Sequence, residues 1–396
     1  MGLDWFRKAE WLDRGRVGGY LAILALVNCG ALAWLIGTSA GGVDRSGHLL
    51  GTDFLSFWTV GKLLAQGGSA YDQAAHVALQ REFFASPTGY TAFFYPPPFL
   101  LYCQPLGLLG YFSALGAWLA LTGGAFALAL RGWLAPLTPA RFALALFAFP
   151  AVLLTITHGQ TSFLIAALLG GGCWLLVSGR KVLAGILFGL AVIKPQFGLL
   201  LPILLLASRE WRTIASAVVT ALVLAGLTTL AYGADVWLDW QATTAKAQQA
   251  LTEGAMGFAR LQSLFAAARL AGLGATGALA LQAILAAFCA ILIARAGWRQ
   301  GFTRETAAAM LAGSLLVTPF VLDYDLLLLA FPLTVLAMSE ARSWERFVTL
   351  LGFALPAFAR PLAMETGIVL APAILLALFV LLLRRAHDPQ TARALP

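Results

Sequence analysis

Residues 17–38 read Val17-Gly-Gly-Tyr-Leu-Ala-Ile-Leu-Ala-Leu-Val-Asn-Cys-Gly-Ala-Leu-Ala-Trp-Leu-Ile-Gly-Thr38, an apolar run without a single charge. Such a run is long enough to cross the roughly 30 Å hydrocarbon core of a bilayer as a helix. Arg7, Lys8, Arg14 and Arg16 precede it, which places the N-terminus in the cytoplasm and the following segment outside. Trp5 to Arg16 is charged and amphipathic, and no small-residue cleavage site follows, so the start does not read as a cleaved signal peptide.

The rest of the chain repeats the pattern. It is 60% hydrophobic and 11% charged, with a mean hydropathy of +0.83, whereas soluble domains carry roughly 25% charged residues. Apolar runs separated by short joints containing Arg or Pro indicate an all-α polytopic membrane protein. A β-barrel would show alternating segments of about ten residues instead. The net charge of +8 is no nucleic-acid signal, because Lys and Arg sit mostly at span ends. Spans are expected over about 17–38, 112–130, 141–157, 161–177, 183–207, 213–232, 276–294, 306–317, 325–338, 347–358 and 367–383, with a short one ending near Leu109. About twelve crossings in one domain over 1–396 put both termini inside. Residues 1–16 and 384–396 are then cytoplasmic, and the loops 39–95 and 233–262 extracytoplasmic.

Two arrangements of residues 96–207 fit equally. In one, residues 96–131 cross twice and 183–207 is a single kinked helix. In the other, 96–131 make one net crossing and Lys194-Pro195 tops a hairpin. Charge bias favours the second, helix length the first. No internal repeat is visible, which counts against a transporter.

The first polar stretch, Gly51-Thr-Asp53-Phe-Leu-Ser-Phe-Trp58 running on to Tyr71-Asp72, lies outside by this count. Helical spacing over 56–66 and 72–84, broken by Gly67-Gly68, predicts two helices lying on the membrane surface. A carboxylate held there among aromatics suits a general base for a lipid-borne substrate; the plainer reading is a helix N-cap by Thr52 or Asp53. Charges at membrane depth are costly and mark functional candidates. Lys194, in Ile193-Lys194-Pro195-Gln196, suits a lipid phosphate, or else is internally paired. His158-Gly159-Gln160 is either a ligand for phosphate or sugar or a plain turn. Asp323-Tyr324-Asp325 is a sugar-binding candidate, or Asp323 caps the next helix. Tyr95, ahead of Pro96-Pro97-Pro98, fixes a span's start. Arg260 is a phosphate candidate in the second loop, and Arg360 ranks below it. Cys29, Cys103, Cys173 and Cys289 read as buried thiols. The four histidines lack i, i+4 spacing, so no metal site is expected.

Taken in order, Asp53-Phe-x-x-Phe-Trp, Tyr95-Pro-Pro-Pro, Pro105-Leu-x-Leu-Leu leading to Trp118, His158-Gly-Gln160, Lys194-Pro-Gln196 and Pro319-x-x-x-Asp323-Tyr-Asp325 resemble the GT-C glycosyltransferases. In particular they are similar to glycosyltransferase family 87, the polyprenyl-phosphate-mannose-dependent type. The motifs cover residues 51–332, and their order and spacing are more specific than any one of them. The resemblance implies a GT-C fold and an inner-membrane transferase whose site opens outside. The donor would be a polyprenyl-phosphate-linked sugar, mannose or another hexose or pentose, and the acceptor a lipid or glycan. It implies inversion with Asp53 as base, donor phosphate held by Lys194, His158 and Arg260, and substrate contacts from Tyr95, Gln160, Gln196, Asp323, Tyr324 and Asp325. No cofactor or metal is implied, and the partners are the two substrates and membrane lipids, with no nucleic acid. Relatives of this fold carry a His near the position of Pro319, where this chain has Asp-Tyr-Asp, which leaves the donor contacts open. The competing expectations are a carrier or flippase of lipid-linked sugar, and an assembly subunit with a degenerate site.

Overall fold

The computed structural model describes residues 3–84, 90–134, 137–340 and 342–387; the tail beyond 387 and residues 85–89 of the first loop lie outside them. Every regular element described is a helix, apart from isolated bridges joining Ala40, Val43 and Leu49. Within a bilayer each backbone polar group must be satisfied internally, which a helix does within its own segment. Five helices are long and apolar enough to cross singly: Gly15–Gly37, Tyr111–Trp133, Trp211–Tyr232, Ala275–Gln300 and Glu345–Thr366. The pair Pro139–Ala148 and Pro150–His158 makes a sixth, bent by 66°. One continuous span was expected there. Pro150 breaks it, because it lacks an N–H and its ring crowds the preceding turn. The chain is an all-α polytopic membrane protein.

Side-chain contacts show which helix ends lie together. Tyr111 binds the Leu50 and Gly51 carbonyls, whereas Trp133, at the other end of its helix, binds the Gly170 carbonyl. Lys181 pairs with Glu210 at 2.8 Å, while Lys194, between them in sequence, reaches Asp325 at the opposite end. Lys194-Pro195 therefore tops a hairpin, and residues 96–131 make one net crossing, as charge bias favours. From there the alternation can be followed. Arg14–Gly37 rises to the Asp53 end, Tyr111–Trp133 descends, the bent pair rises, Ser162–Val177 descends, residues 181–207 rise and descend, and Trp211–Tyr232 rises. Ala275–Gln300 descends, Arg304–Val317 rises, residues 323–337 descend, Glu345–Thr366 rises and Ala371–Ala386 descends. Among the described residues several of these passages are built from short or broken helices, and only the five single helices and the bent pair are long and apolar enough to cross a membrane. At the far end the Trp344 N–H meets the Arg7 carbonyl, and Glu345 pairs with buried Arg385.

Arg304–Val317 is the core helix, buried along its whole length from Thr306. Its small residues, Ala307 to Ala309 and Ala312 to Ser314, let neighbouring backbones approach. Arg14–Gly37 is peripheral, only 6% of its span being buried. Cys29 is thus exposed on it rather than buried; the other three thiols are buried.

The first loop corrects an expectation. Phe54–Ala65 does not lie on the membrane surface but is buried in the protein, its Phe57 ring packed against Tyr95, Phe99 and Trp118. It crosses Leu100–Leu106 backbone to backbone: a Cβ on Gly61 would stand 2.3 Å from the Cys103 carbonyl oxygen. The second helix, Gln73–Phe83, is capped by Asp72 and buries His76 and Gln80. Gln80 exchanges two 2.8 Å bonds with the Thr91 backbone, and Thr91 Oγ1 donates to the Thr52 carbonyl. The second polar loop is mostly a helix, Asp235–Glu253, whose Trp240 reaches the Phe94 carbonyl.

Two outcomes follow from the loop. Gly61→Val forces the crossing apart and lowers the thermal unfolding temperature of the solubilised protein, by an amount equivalent to about 2 kcal/mol or more. Burial pulls the His76 imidazole down to about 4, below the roughly 6.5 of an unfolded histidine. The unfolded loop therefore binds the extra proton between those values, so the anchoring is complete above about pH 6.5 and is lost as pH falls toward 4. Amide exchange over residues 73–84, corrected for intrinsic rates, should rise across that window, and His76→Gln should flatten the rise.

Candidate active site

The site is built on a short backbone ladder between two distant segments. The Gly51 N–H donates to the Thr157 carbonyl and the Asp53 N–H to the His158 carbonyl, each at 3.0 Å. Gly159 then ends the Pro150–His158 helix with φ 64°, the left-handed region. A Cβ there would stand 2.6 Å from the Cβ of Phe54. Trp118 holds the Gly159 carbonyl at 3.1 Å. The glycine in His158-Gly159-Gln160 is what lets Asp53 and Gln160 approach.

Asp53 occupies the N-cap position of Phe54–Ala65, but its side chain caps nothing. Its Oδ2 instead accepts a 3.0 Å hydrogen bond from Gln160 Nε2. Among the described residues Oδ1 has no hydrogen-bond partner, and the residue is half-buried. Gln160 Nε2 also donates to Tyr324 Oη at 3.2 Å, and Oε1 accepts from Tyr95 Oη at 2.8 Å and the Thr161 N–H at 2.7 Å. His158 lays its ring beside Tyr324, with centroids 5.4 Å apart, and its Nδ1 lies 2.9 Å from the Leu154 carbonyl.

Beneath this layer Lys194 Nζ lies 2.6 Å from Asp325 Oδ1, with side-chain exposures of 6% and 1%. Asp325 Oδ2 accepts the Leu322 N–H at 3.0 Å. Two ions so deeply buried each depend on the other, so much of the lysine's charge is balanced within the protein. Asp323 does not cap through a helix-start bond; its Oδ1 accepts its neighbour's N–H from Tyr324, and its Oδ2 lies 3.5 Å from Arg360.

Most of the sequence candidates thus converge: Asp53, Tyr95, His158, Gln160, Tyr324, Asp325 and Lys194 form one connected cluster. Arg260 stands at its rim, exposed, on the turn Phe258–Arg260. That turn is tied to the approach to Asp323 through the Gln262 N–H to the Val321 carbonyl and through Ser263 Oγ to the Pro319 carbonyl, 2.7 Å each. It also packs against the helix carrying Arg360. Gln196 is not brought in; it is half-buried with no hydrogen-bond partner among the described residues. Sequence reasoning missed Thr161 and Ser162 and undervalued Arg360. The first two directly follow the His-Gly-Gln motif. Arg360 interrupts an otherwise uncharged stretch from Phe347 to Met364 of its helix, between Pro356 and Pro361, a signal available beforehand.

The family model for glycosyltransferase family 87 matches residues 93–322, more than half of the chain. The match takes in Tyr95, His158-Gly-Gln160, Lys194 and Arg260, begins after Asp53 and ends just before Asp323. No curated protein and no solved structure matches the chain. With an all-α polytopic fold and a matched region running through its polar cluster, the chain belongs to glycosyltransferase family 87 and is a membrane glycosyltransferase.

Proposed function

We propose that the protein transfers a sugar, mannose or another hexose or pentose, from a polyprenyl-phosphate donor to a hydroxyl of a lipid or glycan acceptor, with Asp53 as general base. The observation that carries this is the Asp53 carboxylate, held through one oxygen by Gln160 while the other has no hydrogen-bond partner among the described residues. The acceptor's proton passes to Asp53 Oδ1 as its oxygen forms a bond to the anomeric carbon. The bond from that carbon to the phosphate oxygen breaks on the opposite face, its electron pair leaves with the phosphate, and configuration inverts. A positioned base contributes about 10²–10⁴-fold to such a step.

The leaving phosphate gains charge, and fixed cations stabilise it. Arg360 and exposed Arg260 are the best placed, since among the described residues Arg360 is held by a single 3.5 Å contact, to Asp323. His158 adds Nε2, which has no partner among the described residues. Lys194 acts from behind, its charge shared with Asp325. Sidedness follows from charge: Arg131, Lys181, Arg209, Arg299, Arg304 and Arg385 sit at helix ends remote from Asp53. The positive-inside rule makes that end cytoplasmic. We therefore place the site on the extracytoplasmic face of the inner membrane, with both termini inside.

The test uses purified protein in nanodiscs with radiolabelled polyprenyl-phosphate-mannose and a lipid and glycan extract of the host. Wild type moves label to a new product. Asp53→Asn lowers turnover by about 10²–10⁴-fold with donor binding and expression unchanged; retained turnover removes Asp53 as the base. Donor binding without transfer by wild type points to a carrier.

A second experiment separates the two roles of Lys194. Lys194→Ala strands Asp325 and costs about 3–5 kcal/mol of stability, read as a lowered unfolding temperature. Lys194→Met combined with Asp325→Asn recovers most of that stability yet keeps a donor KM raised several-fold. A donor KM equal to wild type in the double variant reduces Lys194 to a counter-ion for Asp325.

A further inference from the structure

Gln160 enters the sequence reading as a substrate ligand, and its bonds argue for another role. A carboxamide offers two N–H donors and an oxygen with two lone pairs. Here Asp53 Oδ2 at 3.0 Å and Tyr324 Oη at 3.2 Å take the donors. The Thr161 N–H at 2.7 Å and Tyr95 Oη at 2.8 Å fill the oxygen, with Thr161 Oγ1 at 3.1 Å beside them. Only 6% of the residue is exposed. Nor is the amide free to turn over. A backbone N–H is only a donor, so Thr161 must face the oxygen and the NH2 group must face Asp53. No valence remains for a sugar or a phosphate.

Resting on Asp53 as the base, we propose that Gln160 is its positioning residue: it pins the carboxylate through Oδ2 and leaves Oδ1 as the oxygen that takes the acceptor's proton. A hydrogen bond donated to a carboxylate is charge-assisted and directional, so it fixes which oxygen faces the amide. Tyr95 and Thr161 serve a layer further out, holding the amide in the orientation that donates. Together they hand the direction of Asp53 to the rigid start of the Ser162–Val177 helix.

The decisive variant is Gln160→Glu, which keeps shape and volume. One oxygen retains the Thr161 and Tyr95 bonds, and the other replaces Nε2 opposite Asp53 Oδ2. Two carboxylates that close share one proton at low pH and lose it at higher pH. The shared proton rebuilds the bridge; its loss sets two charges against each other. The ratio of variant to wild-type kcat should therefore fall about tenfold or more between about pH 5 and pH 8, with the donor KM within about twofold of wild type. Gln160→Leu, which cannot donate at any pH, should lower kcat with the donor and acceptor KM near wild type. A raised donor or acceptor KM with unchanged kcat would overturn the proposal in favour of a substrate ligand. An equal loss at every pH with a lowered unfolding temperature would overturn it in favour of simple packing. Full activity of Asp53→Asn in the same assay would overturn the base assignment and the clamp with it, and is told apart because it does not involve residue 160.

Discussion

The ladder that joins residues 51–53 to residues 157–158 is the constraint on which the site depends. Two backbone hydrogen bonds hold a loop segment to the end of a helix more than a hundred residues away. The side chains of Asp53 and Gln160 then repeat the link at the reacting end. Because the tie is made by main chain, it survives changes of neighbouring side chains but not the loss of Gly159, whose left-handed turn brings the two strands of chain together. Tyr111 and Trp118 complete it from a third element by binding the carbonyls that the ladder leaves open. A carboxylate so held has its direction fixed by the protein itself, as the proposed base role requires.

A second constraint lies one layer deeper. Lys194 and Asp325 are drawn from the top of one hairpin and the start of another passage, both at points where regular helix is interrupted. Each interruption frees backbone groups and admits a polar side chain at depth, and irregular backbone is tolerated there because protein covers it. Pairing the two ions lets a membrane interior hold charge beside a reacting centre without leaving either one uncompensated. Arg360 and Arg260 differ from Lys194 in standing nearer the surface, with few protein partners to satisfy. The cluster therefore grades from a neutralised interior at Lys194 and Asp325 to a rim carrying Arg360 and Arg260.

The fold was legible wherever a signal is local. Continuous apolar runs set the helix class and Pro195 marked one break, whereas the break at Pro150 was read as continuous span. At Lys194 charge bias favoured a hairpin and helix length a single kinked helix, and the sequence left both open until the Lys181–Glu210 and Lys194–Asp325 contacts separated them. What was not legible was which faces meet. The first span and the core helix Arg304–Val317 are both apolar almost all round, yet one faces lipid and the other is buried entirely. The aromatic helix Phe54–Ala65 has the composition of an interfacial segment and instead fills the protein interior, because Gly61 and Gly107 permit a close crossing that no periodicity announces.

The sequence by itself determined the class of molecule, the approximate passages, the family resemblance and nearly all residues of the polar cluster, because each of these rests on composition, local pattern or a charge standing out against an apolar background. The tertiary structure alone decided the partners of each side chain. Only packing shows that Gln160 has no bond left for a substrate, that Lys194 is paired with Asp325, that Gln196 stands outside the cluster and that Arg360 stands beside Asp323. Those facts depend on hydrogen-bond valences and ion pairs between segments far apart in the chain, and no reading of neighbours along the chain contains them.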